Sequence, residues 1–192
     1  MIHFDPVPEP HDFDKKAKQP GLRWIEKHPD AKRPKDFWTP FKPCLTEGFA
    51  HLCAYSALFE PVGTVDHYIS VRTDMRLAYE WNNYRFASAW MNSSKQTADD
   101  RILDPFEVED GWFEIILPSL QLVMTDSVPE EYMEKARFTL KRLHLQDDER
   151  IIRIRQEWYR MYLEHEITLE GLKRKAPLIA RAIEKQQKET IP

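Results

Sequence analysis

The chain has 192 residues, 31% of them charged, and a formal net charge of -4 at pH 7. This length fits one domain with a core of ordinary size, and a hydrophobic content of 42% argues against an intrinsically disordered chain. The acidic balance argues against a protein that binds nucleic acid through bulk positive charge, although it leaves room for a local basic face.

Cysteine content and apolar runs set further limits. The two cysteines, Cys44 and Cys53, are too few for a disulfide framework or a four-thiolate zinc site. No apolar run approaches the roughly 20 residues that span a bilayer, and no charged-then-apolar leader opens the chain. These features predict a cytoplasmic protein with free thiols and no membrane partner.

Residues 1–50 are predicted to form an irregular N-terminal arm with short helices. Eight prolines from Pro6 to Pro43 break any long helix, and 21–28 is predicted to be a short helix behind Pro20. Aromatic side chains of the arm are expected to anchor it to the body of the protein, because large apolar rings are usually buried. These anchors are Trp24, Phe37, Trp38 and Phe41.

Residues 51–125 are predicted to form the core of an α+β protein. The segments 52–55 and 64–69 have the composition of two short strands, and the second is rich in β-branched and aromatic residues. The second half of 81–95 has helical character. The segment 112–124 is predicted to be a small hairpin interrupted at its proline.

Residues 126–192 are predicted to be a helical C-terminal region. Pro129 and the two glutamates after it are typical of a helix start, and apolar residues then recur at helical spacing as far as Leu143. Two more helices are predicted, at about 147–164 and about 169–187.

An Asp-His pair, Asp66-His67, ends the second predicted strand, with Asn83 and Asn92 further along. Strand, loop and helix in this order can surround one divalent cation. Phosphodiester hydrolysis needs a base for water and a Lewis acid for the leaving oxygen. A neutral His67 can supply the base near pH 7. The oxygens of Asp66 and Asn92 suit Mg²⁺ or Mn²⁺, and the Asn83 amide can hold the loop by hydrogen bonds to backbone.

Three cations near this set are candidates for contacts with substrate phosphate: Lys95 at the end of the predicted helix, Arg85 and Arg72. A purely structural interpretation stays open beside the functional one. In it, His67 is a hydrogen-bonded residue at a strand end, Asn92 is a helix cap, and Lys95 is a solvated helix terminus.

The ordered set resembles the HNH endonuclease (ββα-metal) family. The resemblance is to the branch whose motif runs as Asp-His, an aromatic-x-Asn element, and Cys-Asn-x-x-Lys, and it covers about 52–113. The segments that match are Asp66-His67, Trp81-Asn82-Asn83-Tyr84, Met91-Asn92-Ser93-Ser94-Lys95 and the following Leu103-Asp104-Pro105.

The resemblance implies a ββα-metal core and a DNA endonuclease that uses Mg²⁺ or Mn²⁺. It implies that His67 is the general base, that Asp66 and Asn92 are metal ligands, and that Asn83 is the structural Asn of the middle motif. Nucleases of this kind often act in anti-phage defence, with a protein partner supplying recognition. The acidic net charge is compatible with such a division of labour.

The chain departs from that branch where many members carry two Cys-x-x-Cys pairs for a structural zinc. Here the pairs become Cys53-Ala54-Tyr55-Ser56 and Ser88-Ala89-Trp90-Met91, which keep one thiolate of four. We therefore expect no structural zinc.

Two other functions remain possible on the sequence. The first is a non-catalytic protein that keeps the HNH fold as an interaction or nucleic-acid-binding module, a hypothesis that the loss of the zinc ligands favours. The second, weaker one is a small hydrolase of another class, although the chain has no Gly-x-Ser-x-Gly elbow and no Gly-x-x-x-x-Gly-Lys loop.

Overall fold

A computed structural model describes residues 1–190 of the chain as an α+β protein with two small antiparallel sheets. The predicted fold class is therefore confirmed at this level. The elements in chain order are α1 (Gln19–Lys27), α2 (Lys42–Gly48), β1 (Thr64–His67), β2 (Tyr84–Ala87), α3 (Ala89–Lys95), β3 (Phe113–Ile116), β4 (Gln121–Met124), α4 (Glu130–Arg142), α5 (Glu149–Leu163), α6 (Leu169–Lys175) and α7 (Pro177–Thr190).

The first sheet pairs β1 with β2, and α3 follows β2 after a single residue, Ser88. In the antiparallel register His67 lies opposite Tyr84 and Asp66 lies opposite Arg85. Helix α3 packs on β1. The strand predicted at 64–69 and the helix in the second half of 81–95 are confirmed, with the strand two residues shorter than predicted.

The strand predicted at 52–55 is wrong. This segment makes one isolated bridge, from Leu52 to Phe59, and the chain turns back at Ala57, whose φ is 55°. Both backbone groups of Cys53 bind within this turn, since its N–H donates to the Leu58 carbonyl at 2.9 Å and its carbonyl accepts from the Ala57 N–H at 2.9 Å. A tight turn therefore replaces the ladder.

The N-terminal arm begins its helical part with a π-helical turn that leads into α1. Helix α1 confirms the helix predicted behind Pro20, and this proline lies in its first turn, directly after the π-helical turn. Phe41 is buried, and Phe37 and Trp38 pack against the core, as predicted. Trp24 instead stacks on His28 within its own segment, with ring centroids 4.5 Å apart.

The C-terminal region contains α4 and α5 close to the predicted positions. The single helix predicted at about 169–187 is wrong, because the chain breaks into α6 and α7 at Ala176. Pro177 follows directly, and a proline disfavours the helical conformation in the residue before it, here at φ -149° and ψ 66°.

The second sheet, β3 paired with β4, confirms the hairpin predicted at 112–124. Arg155 of α5 connects this hairpin to the link between α4 and α5, because it donates to the Leu120 carbonyl at 2.9 Å and to the Leu145 carbonyl at 2.7 Å. Burial lowers the pKa of Arg155 to about 10. Helix α7 packs on β3, where Lys185 pairs with Glu114 at 2.8 Å.

Residues of all three predicted segments contribute to one hydrophobic cluster, from Phe13 in the arm through Phe86 in β2 to Ile179 in α7. The arm, the central unit and the helical region therefore pack around a shared core. None of the helices within 1–190 has both the length and the apolar character needed to cross a lipid bilayer.

Candidate active site

His67 is the last residue of β1, and its ring is held between two aromatic side chains. The ring centroid of Trp38 lies 4.9 Å away and that of Tyr84 lies 5.2 Å away, both edge-on. Trp38 comes from the N-terminal arm and Tyr84 from β2. The arm therefore helps to build the surroundings of the candidate base.

The hydrogen bond of His67 selects its tautomer. Its Nε2 lies 3.3 Å from the carbonyl oxygen of Ala78, which can only accept. Nε2 therefore carries the proton, and the lone pair of the neutral ring is on Nδ1. Burial lowers the pKa of His67 from its ordinary value of 6.5, which keeps the ring neutral at pH 7. Among residues 1–190 no hydrogen-bond partner of Nδ1 is found.

A cavity of about 830 Å³ opens beside His67. Three cations line it, and none of the described residues in its wall is Asp or Glu. Apolar side chains complete the wall, so that the cavity is positively charged but only partly polar. Its lining consists of Ala31, Lys32, Arg33, Pro34, Trp38, His67, Val71, Arg72 and Met75.

Asn83 fixes the loop between the two strands. Its Oδ1 accepts from the Ile69 N–H at 2.7 Å, and its Nδ2 donates to the carbonyls of Ile69 at 2.9 Å and Leu77 at 3.1 Å. The same loop carries Ala78, the partner of His67. The structure thus places Asn83 where it can hold the loop, as the sequence predicts, while its part in catalysis remains a prediction.

Asp66 points to the other side of β1, where its carboxylate is enclosed. Its Oδ1 lies 3.2 Å from the Lys95 ammonium, and its Oδ2 accepts from the Tyr55 hydroxyl at 2.6 Å. Only 2% of Asp66 is exposed. Burial, and then the charge of Asp66, hold the pKa of Tyr55 well above its ordinary value, so that the hydroxyl stays a donor.

Asn92 lies in the middle of α3, half-buried. Its Nδ2 donates to the Val65 carbonyl at 3.4 Å, and the residue lines a second cavity, of about 400 Å³. The N-cap of α3 is Ser88, so the interpretation of Asn92 as a cap is wrong. Arg72 lines both this cavity and the cavity beside His67, so the two cavities are adjacent.

The residues predicted to bind Mg²⁺ or Mn²⁺ do not fit that role as they are arranged. Both oxygens of Asp66 are taken by Lys95 and Tyr55, and Asn92 faces a separate cavity from His67. Within residues 1–190 no group of three His, Cys, Asp or Glu side chains is placed to hold a metal ion. A cation at Asp66 would have to displace the Lys95 ammonium.

Lys95 and Arg85 are not presented to a phosphate, and the structure corrects that prediction. Lys95 is fully buried and donates to the His67 carbonyl at 2.7 Å. Arg85 is 2% exposed, lies over the Phe106 ring, and donates from Nε to Asp104 at 2.8 Å. Each charge is compensated inside the protein by a carboxylate, so both cations tie elements together.

The sequence interpretation missed Lys32, Arg33 and Tyr55. A basic pair directly before Pro34 in a proline-rich arm was a visible signal. Its position beside His67 depends on how the arm folds back, which no local pattern predicts.

No known family model matches the chain, and no curated protein matches it in sequence.

Proposed function

We propose that the chain is an HNH-type endonuclease that hydrolyses phosphodiester bonds in DNA, with His67 as the general base. The observation that supports this most is the hydrogen bond from His67 Nε2 to the Ala78 carbonyl. It leaves Nδ1 as the nitrogen that can take a proton, on a residue that lines a cavity rich in cations.

The proposed chemistry follows from the side chains present. Nδ1 of His67 takes a proton from water as the water oxygen forms a bond to phosphorus. The bond from phosphorus to the leaving oxygen breaks, and that oxygen takes a proton from solvent. The Nε2–H bond to Ala78 keeps the ring oriented and lets it become a cation without moving.

The order of the elements gives the proposal its second support. An antiparallel pair of strands is followed at once by a helix that packs on the first strand. The resemblance assigns the role of base to His67, which lies at the end of β1, and the role of a metal ligand to Asn92, which lies on α3. The Mg²⁺ or Mn²⁺ ion stays part of the proposal, but the enclosed Asp66 does not fit it, so no step is derived through a metal.

DNA is the proposed substrate, and a protein partner in phage defence is the proposed context. A net charge of -4 supports a subunit that depends on a partner for recognition of its target.

A second candidate function is a non-catalytic HNH-fold module that binds nucleic acid or another protein. The buried set of Asp66, Lys95 and Tyr55 favours it, because it turns a predicted metal ligand into a structural ion pair. In that case His67 would contribute only packing and its backbone hydrogen bond.

A single experiment separates the two candidates. A fluorescently labelled DNA duplex is incubated with the protein and Mg²⁺ or Mn²⁺, and both the bound fraction and the cleaved fraction are measured. The nuclease proposal predicts cleavage by the wild type, and the same reaction in EDTA shows whether a metal ion takes part. Binding without cleavage, with both metals supplied, would instead support the non-catalytic module.

A further inference from the structure

We infer that Lys32, Arg33 and Arg72 form the phosphate-binding wall of the candidate active site, and that the N-terminal arm is therefore part of the substrate-binding surface. This inference rests on the proposed function, since it names the residues that would hold a nucleic-acid backbone beside His67. In the role of phosphate contacts, these three residues take the place of Lys95 and Arg85, whose charges are buried and paired.

The first argument is charge. Lys32, Arg33 and Arg72 line the cavity of about 830 Å³ together with His67. All three are exposed, and within residues 1–190 none of their side chains takes part in a salt bridge. Their positive charges are thus uncompensated by protein, unlike those of Lys95 and Arg85. Phosphodiester groups are the anions that such a wall would bind in a nucleic acid.

The second argument is that the arm is held in place. The Tyr79 hydroxyl donates to the Lys35 carbonyl at 2.8 Å, and Trp38 packs edge-on to His67. Asp36, which lies between these two anchors, accepts from the backbone N–H groups of Trp38 at 3.0 Å and Thr39 at 2.9 Å. Asp36 is therefore engaged in a turn, and the side chains of Lys32 and Arg33 are exposed to solvent.

The third argument is size and continuity. A cavity of about 830 Å³ is in the range of about 300–1,000 Å³ that holds a small organic ligand, so it has room for a short stretch of backbone rather than a single ion. Arg72 also borders the cavity of Asn92. A strand that passes His67 would meet Arg72 next and then the polar side chains around Asn92.

The test is binding of a fluorescein-labelled DNA duplex, measured by fluorescence anisotropy in EDTA over a series of salt concentrations. The variants are Lys32→Ala with Arg33→Ala, and Arg72→Ala. The matched control is Arg23→Ala with Lys27→Ala, which removes two exposed cations of α1 outside the cavity. Each lost phosphate contact reduces the slope of log affinity against log salt by about 0.9 for duplex DNA.

The double variant in the cavity is expected to bind DNA at least about tenfold more weakly, with a salt slope that reports about two fewer phosphate contacts. For Arg72→Ala the slope is expected to report about one fewer. The control keeps the wild-type slope. The inference would be overturned if the control lost as much DNA affinity as the cavity variants, or if the cavity variants kept the wild-type salt slope. It would also be overturned if the wild type did not bind DNA. Circular dichroism checks that the variants are folded, and replacing both arm cations with Gln repeats the test without shortening the side chains to Ala.

Competition with single-stranded DNA and with a nucleoside monophosphate shows whether the wall binds a polymer backbone or an isolated phosphate. Weaker binding by the cavity variants, together with a wild type that never cleaves, would keep this inference and reject the nuclease. Cleavage at the wild-type rate by the cavity variants would keep the nuclease proposal and reject this inference.

Discussion

At the scale of the residue, one backbone carbonyl decides what His67 can do. The oxygen of Ala78 accepts from Nε2, and so the proton-accepting nitrogen is Nδ1. The preceding residue, Asp66, does not line the cavity, and each of its carboxylate oxygens binds a buried side chain. Two neighbours in the sequence therefore differ because successive residues of a strand face opposite sides of its sheet.

The tautomer and pKa of His67 can be measured directly. Burial lowers the pKa of the folded ring below the 6.5 of the unfolded chain. At a pH between the folded and the unfolded pKa of His67, the unfolded chain binds more protons than the folded protein. Stability is therefore lost as pH falls below about 6.5, and the loss is complete once pH is below the folded pKa. We expect ¹⁵N NMR to show protonated Nε2 at neutral pH and a midpoint below 6.5. A protonated Nδ1, or a midpoint above 6.5, would contradict the assignment; His67→Ala identifies the signal.

Lys95→Met is expected to destabilise the protein strongly. It leaves the Asp66 carboxylate buried with Tyr55 as its remaining partner, and breaking a buried ion pair from one side costs about 3–5 kcal/mol. Urea denaturation measures the loss. The double variant Asp66→Asn with Lys95→Met should recover much of it, since no unpaired charge remains. A loss below about 1 kcal/mol for the single variant, the size typical of an exposed pair, would show that the pair is solvated.

At the scale of the element, the patterns that could be predicted are those that local chemistry controls. The β-branched run of β1, the proline-led starts of α1 and α4, and the hairpin of β3 and β4 all follow from composition. Strand β2 could not be recognised from alternation, because all four of its residues are buried. Pro177 is the sequence signal for the break between α6 and α7, because a proline disfavours the helical conformation in the residue before it.

The loop between β1 and β2 depends on Asn83. Replacing Asn83 with Ala removes three hydrogen bonds to partly buried backbone groups, each with a net contribution of about 1 kcal/mol. We expect a loss of at least about 2 kcal/mol in urea denaturation, with faster amide exchange at Ile69. Asn82→Ala, at the exposed neighbouring position, is the control. Equal stability of the two variants would show that the loop is held by other contacts.

At the scale of the whole molecule, the arm and the helical region share the core of the central unit, and the site depends on both. Trp38 brings the arm to His67, and Arg142 of α4 donates to the Lys95 carbonyl at the end of α3. The sequence shows the Asp-His pair and the two asparagines. It does not show which charges are buried, because burial depends on contacts between residues far apart in the chain.

A shared core predicts one cooperative unfolding transition. Tryptophans lie in the arm, the central unit and α5, so their fluorescence reports on all three segments, while far-ultraviolet circular dichroism reports mainly on the helices. The two urea curves should coincide. Separate midpoints would show that the helical region unfolds on its own.

The central claim, that His67 is the base of a DNA-hydrolysing site, is tested most directly by nicking of supercoiled plasmid with Mg²⁺ or Mn²⁺. We predict that the wild type and His11→Ala nick at the same rate, since the His11 side chain is fully exposed and away from the cavity. His67→Ala should lose at least about 100-fold, the lower end of what a general base contributes. Nicking by His67→Ala at the wild-type rate would contradict the claim.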